Sequence, residues 1–277
     1  MKEPSLQSEV PPAADFLRAL RAAQGDVLGD MVRDTGIAEG MRVLDIGCGD
    51  GFFMRRIARL IGPSGQVVGL DIDGRALRAA AANCRKLGVP YALVEGHSSA
   101  LPFPDRSFDA CFSALSFFDF SDPVSVVSSM CRVTRPGGVV AVIEHDYNHQ
   151  ALFPFPAGLE LAVEQALARA AREAVGATGR FYAARNLPLW LSEAGLADVT
   201  RRSYTRDLSF PLSTAERRYI DVFLREIWQH ARPYLGERER ALMRAWYRGE
   251  TERPSPDMPG FTVTFFHFLT TGRISPG

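Results

Sequence analysis

Three groups of residues combine side-chain type and spacing in ways that could do chemistry. The first is Val43-Leu44-Asp45-Ile46-Gly47-Cys48-Gly49-Asp50-Gly51, an apolar run with one acidic residue that ends in three alternating glycines. Glycines so spaced let a backbone approach a ligand closely. A dinucleotide site wants G-x-G-x-x-G around a pyrophosphate. Here the order is G-x-G-x-G, Phe52 stands in place of the last glycine, and Asp45 would oppose a phosphate and favour a cation. The second group is Asp71, twenty residues after Gly51, closing the run Val67-Val68-Gly69-Leu70-Asp71. Its carboxylate suits two ribose hydroxyls, a charge-assisted contact worth roughly 1.5–3 kcal/mol. The third is Glu144-His145-Asp146-Tyr147-Asn148-His149. An imidazole at His145 could take a proton from a hydroxyl or amine near neutral pH, or orient an acceptor. A metal site built from His145, Asp146 and His149 finds no confirming ligand spacing elsewhere, and no metal is expected.

The elements that must position these groups are legible in the hydrophobic pattern. Apolar runs at Met41–Ile46, Gln66–Leu70, Tyr91–Glu95, Phe108–Leu115 and Val139–Glu144 read as strands. They alternate with helical patterns at Phe52–Ile61, Gly74–Leu87 and Pro123–Val133, and a helix over Asp15–Arg33 precedes them. Strands alternating with helices imply βαβ units and a mostly parallel sheet, and continuous apolar strands imply helices on both faces. Ligands of such sheets bind outside the carboxyl ends of the strands, where all three groups fall. Further on, Leu159–Ala174, Ala183–Ala194, Thr214–Tyr234 and Glu237–Arg248 read as helices, and Asp198–Ser209 and Phe261–Thr271 as strands. The expected organisation is a flexible tail over 1–14 and one domain over 15–277. Its core covers 36–150, with helical insertions at about 151–180 and 212–257.

Composition narrows the chemistry. The 277 residues hold 32 basic and 32 acidic side chains, and among the bases only Lys2 and Lys86 are lysines. Mechanisms that need a lysine are nearly excluded, the Tyr-x-x-x-Lys of short-chain reductases and the Gly-Lys-Ser/Thr of phosphate loops included. Zero net charge removes the simplest argument for nucleic acid or an anionic membrane as partner. Cys48, Cys84, Cys111 and Cys131 have no metal-like spacing and read as buried, reduced thiols. With no signal-like leader and no apolar run near the ~18 residues a membrane helix needs, a soluble, cytoplasmic protein is expected.

The glycine loop and the Val-Val-Gly-Leu-Asp-Ile-Asp segment resemble class I S-adenosylmethionine-dependent methyltransferases. Leu101-Pro102-Phe103-Pro104-Asp105-Arg106-Ser107-Phe108-Asp109 and Arg132-Val133-Thr134-Arg135-Pro136-Gly137-Gly138 extend the resemblance. These last two look most like the ubiquinone/menaquinone-biosynthesis and small-molecule tailoring subgroup. The resemblance implies a Rossmann-like, doubly wound, mostly parallel seven-stranded sheet with an antiparallel last strand, and S-adenosyl-L-methionine as cofactor. It implies that Gly47, Gly49 and Gly51 surround the methionine portion, with Asp45 toward its ammonium group and Ser113 beneath it. Asp71 would take the ribose diol and Ile72 would lie against adenine. Family members usually carry an Asp after the glycine at Gly96; here His97 and Ser98 stand there, which alters the adenine contact.

On the family topology both insertions leave the carboxyl edge of the sheet and could roof an acceptor pocket. They carry Phe153, Phe155, Phe181, Tyr182, Tyr219, Phe223, Trp228, Trp246 and Tyr247, residues of the kind that line small-molecule pockets, although most are expected to pack the helices together. The runs Arg217-Arg218 and Arg238–Arg248 are interleaved with acids and read as a solvated, salt-bridged face. The fourth strand ends in Ala114-Leu115-Ser116-Phe117-Phe118 rather than the Asn/Asp-Pro-Pro-aromatic motif of base-amino methylation, so nucleic acid is not the expected substrate. The expectation is an enzyme that methylates a small, hydrophobic or aromatic acceptor, on oxygen ahead of carbon or nitrogen. The alternative is a relative that uses the cofactor structurally for cyclisation or decarboxylation. A homodimer is left open.

Overall fold

The structure is a computed structural model that describes residues 13–146, 149, 151–175 and 182–276. Its helices are α1 (Ala13–Arg33), α2 (Met54–Ile61), α3 (Gly74–Cys84), α4 (Pro123–Val133), α5 (Ala157–Val175), α6 (Ala183–Glu193), α7 (Thr214–Ala231) and α8 (Glu237–Tyr247). Its strands are β1 (Arg42–Ile46), β2 (Gln66–Asp71), β3 (Tyr91–Glu95), β4 (Phe108–Ala114), β5 (Thr134–Glu144), β6 (Ala151–Leu152), β7 (Leu196–Ser209) and β8 (Thr262–Ile274). The chain divides into two compact units: residues 29–146, 179–204 and 267–277 form one, and 1–28, 147–178 and 205–266 the other.

In the first unit the sheet runs β3-β2-β1-β4-β5-β8. Neighbours among the first five strands pair in parallel, and β8 returns antiparallel to β5. The hydroxyls of Thr200 and Thr271 meet at 3.0 Å, and those of Ser209 and Thr262 also meet, which sets β7 antiparallel to β8. The mostly parallel sheet with an antiparallel last strand is as expected, with β6 as an eighth strand whose two residues are too short to leave a periodic signal. Apolar strand residues such as Leu44, Ile46, Val68, Leu70, Val140 and Val142 are buried because helices cover them. Val126, Val127, Met130 and Val133 of α4 and Leu187 and Leu191 of α6 pack into the same core.

Two of the motifs fasten the opposite end of this sheet. The Arg132 guanidinium donates to the carbonyls of Phe103 (2.8 Å) and Leu101 (2.9 Å) and to the Asp105 carboxylate (2.7 Å). Asp109 accepts the Arg42 amide at 2.6 Å and pairs with Arg135 at 2.8 Å. The 101–109 and 132–138 segments therefore bind each other and the start of β1. The turn Pro136-Gly137-Gly138 forms a bulge: Phe108 lies opposite Thr134, yet Ala110 lies opposite Val139. Strand β5 thus begins before its turn. The expected helix over 214–234 stops at Ala231 and continues as a 3-10 turn over Arg232–Tyr234, where Pro233 cannot supply an amide.

The second unit has an aromatic core. Phe153 contacts Phe155, Phe223, Trp246 and Phe265, and Tyr219 contacts Phe16, Phe223 and Phe265, with centroids 5.0–6.2 Å apart. Of the aromatics offered above as pocket lining, Phe153, Phe155, Tyr219, Phe223, Trp228, Trp246 and Tyr247 are buried; Tyr182 is exposed. Packing accounts for most of these seven. The tail over residues 1–12, Tyr147, Asn148 and Phe181 lie outside the described residues, and α1 starts two residues before Asp15. Cys48, Cys84 and Cys111 are buried and Cys131 half-buried, and burial raises all four thiols. Among the described residues no helix is long and apolar enough to cross a membrane.

Gly51 shows how tightly the loop after β1 is held. It sits at φ 78°, and a Cβ there would lie 2.8 Å from the Cys84 sulfur on α3. Gly51→Ala is expected to cost about 2 kcal/mol, from left-handed strain and the sulfur contact together. Pairing it with Cys84→Ala should recover part of that loss in thermal unfolding. Strictly additive losses would show that the sulfur contact is not the obstacle.

Candidate active site

The carboxyl ends of the parallel strands lie in register, so residues distant in sequence arrive together. Ile46 stands opposite Leu70 and Ser113, Asp71 opposite Glu95, and Ala114 opposite Ile143. The chain leaves β1 through Gly47 (φ 71°), Gly49 (φ 55°) and Gly51 (φ 78°), all left-handed. The amides of Gly47 and Cys48 both donate to the Leu70 carbonyl, at 2.8 and 3.1 Å. The Gly49 amide donates to Asp71 Oδ2 at 2.8 Å, and the Asp73 amide to Asp71 Oδ1 at 2.9 Å. Asp71 thus holds the loop and its own turn together. Each of its oxygens takes one of these amides, and carboxylate oxygens have room for more than one donor.

The other residues expected here line the same edge. Asp45 is buried within β1, one residue before the strand's end. Ile72 follows Asp71 and is 67% exposed at the rim of the sheet. Beyond β3, His97 is exposed and Ser98 half-buried. His97 Nδ1 accepts the Ser99 amide at 3.3 Å and lies 2.8 Å from the Ser99 hydroxyl, which leaves Nε2 as the outward nitrogen. Ser113 is fully buried, and its hydroxyl donates to the Ile46 carbonyl at 2.9 Å. Ser116 closes on the loop from the β4 side: a Cβ on Gly47 would lie 2.6 Å from its hydroxyl.

At the end of β5, Glu144 is the residue that inspection of the sequence passed over in favour of His145. It is fully buried, its Oε1 accepts the Phe117 amide at 2.9 Å, and its Oε2 makes no hydrogen bond within normal limits. Burial pushes its pKa up to about 8, against the amides of Phe117, Ser116 and His145, which favour the charged form. His145 is also buried, with its ring 6.4 Å from that of His267. Burial and the neighbouring His267 push the His145 pKa down to about 3, and burial pushes His267 down to about 4. Both imidazoles are neutral at physiological pH, and Glu144 stays largely protonated there. Asp146 pairs with Arg185. Among the described residues no group of three or more His, Cys, Asp and Glu side chains could hold a metal ion.

A glycine-lined turn, a carboxylate with acceptor capacity and an exposed apolar residue beside it fit a cofactor with a ribose and a flat apolar base. Comparison with known proteins bears on which. The family described as "Methyltransferase domain" matches residues 37–185, more than half of the chain. The chain is 38% identical over 112 residues to the ubiquinone/menaquinone biosynthesis C-methyltransferase of Pasteurella multocida, covering 40% of this chain and 42% of that protein. It is 33% identical over 116 residues to the demethylmenaquinone methyltransferase of Geobacillus kaustophilus, covering 42% of this chain and 50% of that protein. The chain therefore spans about half the length of the curated relatives it matches. Among solved structures, the BH2331 protein of Bacillus halodurans superposes with a TM-score of 0.57 at 17% identity, over 91% of this chain and 99% of its own. The [4+2]-cyclase SpnF superposes at 0.51 and 22% identity, over 91% and 81%. At these identities the superpositions show a shared fold.

The raised Glu144 pKa has a consequence for stability with a definite sign. The folded carboxyl keeps its proton up to about pH 8, whereas the unfolded one releases it near 4.5. Between those values the folded state holds the extra proton, so the group's contribution to stability falls as pH rises through the window and levels off above it. Glu144→Gln, neutral and of the same shape, should be more stable than the parent at pH 9, by on the order of a few kcal/mol. The two chains should converge toward pH 4.5 in denaturant titrations. Identical pH profiles would mean that Glu144 ionises normally.

Proposed function

The chain belongs to the methyltransferase-domain family, and we propose that it is an S-adenosylmethionine-dependent methyltransferase acting on a small, hydrophobic or aromatic acceptor. The observation that carries the cofactor reading is Asp71, which ties down the glycine loop through Gly49 while keeping acceptor capacity beside the exposed Ile72. On this reading Gly47, Gly49 and Gly51 give their backbone to the methionine portion and Asp45 sets a negative charge toward its ammonium group. Asp71 takes the ribose hydroxyls, Ile72 one face of adenine, and His97 and Ser98 the adenine edge. Ser113, its hydroxyl given to Ile46, acts by shape as the floor beneath the methionine. When bound, the sulfonium supplies a methyl group already activated for transfer, and the protein's task is alignment.

The acceptor side rests on the strand β5 end. His145, held neutral, is assigned to orienting the acceptor rather than storing its proton. We propose oxygen as the methylated atom, because a phenol or enol needs only to lose one proton on transfer. Carbon is the second reading, supported by the Pasteurella relative, which is named a C-methyltransferase. Both named relatives work in quinone chemistry, which supports a hydrophobic ring as acceptor. The non-methylating alternative has the cyclase fold likeness alone behind it. The proposed domain remains one methyltransferase unit over 15–277, core 36–150, with the helical insertions.

Removing the Asp71 charge with Asp71→Asn should weaken S-adenosylmethionine binding by about tenfold or more, the equivalent of a charge-assisted contact. Calorimetry with both chains reads this, and unchanged affinity would remove the ribose assignment. Label transfer from a methyl-labelled donor to a panel of phenols and quinols tests the activity, and mass spectrometry of the product identifies the atom. Product formed without label would favour the non-methylating reading.

A further inference from the structure

The second unit holds a cleft of about 470 Å³ lined by Trp228 of α7, Arg232 and Pro233 of the following 3-10 turn, and Arg240 and Arg244 of α8. Several other arginines of this unit find carboxylates. Arg206 pairs with Asp26 and Glu216, Arg217 with Asp221 and Asp257, and Arg248 with Glu250. Arg232, Arg240 and Arg244 pair with no carboxylate among the described residues, and within the 238–248 run expected to form a salt-bridged face only Arg248 does so among its arginines. Glu239, the acid next to Arg240, turns its carboxylate back over Gly236, where a Cβ would lie 2.3 Å from it. Three like charges sharing one cleft repel one another until an anion enters.

The cleft is also partly ordered in advance. The Arg244 guanidinium lies 5.6 Å from the Trp228 ring centroid, within cation–π range. Arg240 donates to the Arg232 carbonyl at 3.5 Å, linking α8 to the 3-10 turn. The Trp228 side chain is 97% buried, and its indole N–H has no hydrogen-bond partner, a donor left over on a residue that lines the cleft. Each guanidinium offers a planar fork matched to pairs of phosphate oxygens. Three forks outnumber the oxygens of one carboxylate and suit the larger set on a diphosphate. The three arginines share one cleft, a footprint that suits a small anion.

We propose that this cleft binds the diphosphate group of a small soluble ligand, gripped by Arg232, Arg240 and Arg244 against Trp228. The inference is independent of the methyl-transfer reading, and its failure would leave that reading standing. The test is titration calorimetry of the full chain with inorganic pyrophosphate at low salt. Binding should weaken by about tenfold or more in the double variant Arg240→Gln/Arg244→Gln, the loss of at least one charge-assisted contact. A control, Arg238→Gln/Arg253→Gln, removes the same charge elsewhere and should bind like the parent; thermal melts confirm that both variants fold. Absence of pyrophosphate binding, or an equal loss in the control, overturns the proposal. So does capture by phosphatidic acid vesicles without any pyrophosphate binding, which would make the cleft a membrane contact.

Discussion

The loop after β1 is suspended from the last two residues of β2. Leu70 receives two consecutive loop amides through one carbonyl, and Asp71 receives a third through its side chain. The backbone turns left-handed at residues 47, 49 and 51 as it follows this path, a conformation glycine adopts without strain. Neighbours then close the remaining space, Ser116 against Gly47 and Cys84 against Gly51. A bond to an ionised carboxylate is worth roughly 1.5–3 kcal/mol, and an amide left unpaired in its place costs a comparable amount. The shape of the loop and the orientation of Asp71 are therefore one property. A ligand that engages Asp71 meets a carboxylate already fixed in direction, and it does so without having to order the loop.

The same economy explains why four sequence motifs are divided between two ends of one sheet. The glycine loop and the Asp71 segment form the carboxyl edge. The 101–109 and 132–138 segments, which look equally diagnostic in sequence, supply Arg132, Asp105, Asp109 and Arg135 to contacts at the amino end of β1, β4 and β5. Parallel strands have no hairpins to set their register, so register must come from such side-chain ties and from the crossover helices. Alignment of Ile46, Leu70 and Ser113 at one edge is the product of fastening at the other.

How much of this was legible follows from what each signal measures. The strands read well because a parallel sheet covered on both faces demands uninterrupted apolar runs, and Tyr91–Glu95 and Pro123–Val133 emerge with the boundaries expected for them. The bulge at 136–138 did not, because Pro-Gly-Gly marks a turn whether or not its flanks go on pairing. Pro233 was present in the sequence, but its effect depends on the i−4 carbonyl of a helix that could have ended anywhere. The insertion aromatics were the least decidable, since Phe, Tyr and Trp serve pocket walls and interiors alike and only burial separates the two. Burial also separates Glu144 from His145. Side by side in the sequence the histidine is the obvious titrating group; in the fold both are buried, and burial moves an acid and a base in opposite directions.

That opposition constrains the chemistry available at the end of β5. Methyl transfer to oxygen or carbon leaves one proton to be released, and a group that receives it must hold it more tightly than the departing site does. With a pKa near 3, His145 cannot compete with water-exposed buffers for such a proton. Burial instead raises the neighbouring Glu144, to about 8. Its second oxygen forms no bond within the protein that would fix it in either state. On the methyl-transfer reading proposed above, an acceptor whose hydroxyl is acidic enough to share a proton with a group of pKa near 8 would match this edge better than an alcohol. Phenols, enols and hydroquinones meet that condition, and in each of them loss of the proton enriches oxygen and ring carbon together. On the proposed methyl-transfer reading, the electrostatics of the β5 end favour an acidic acceptor, and alignment with the donor selects the atom.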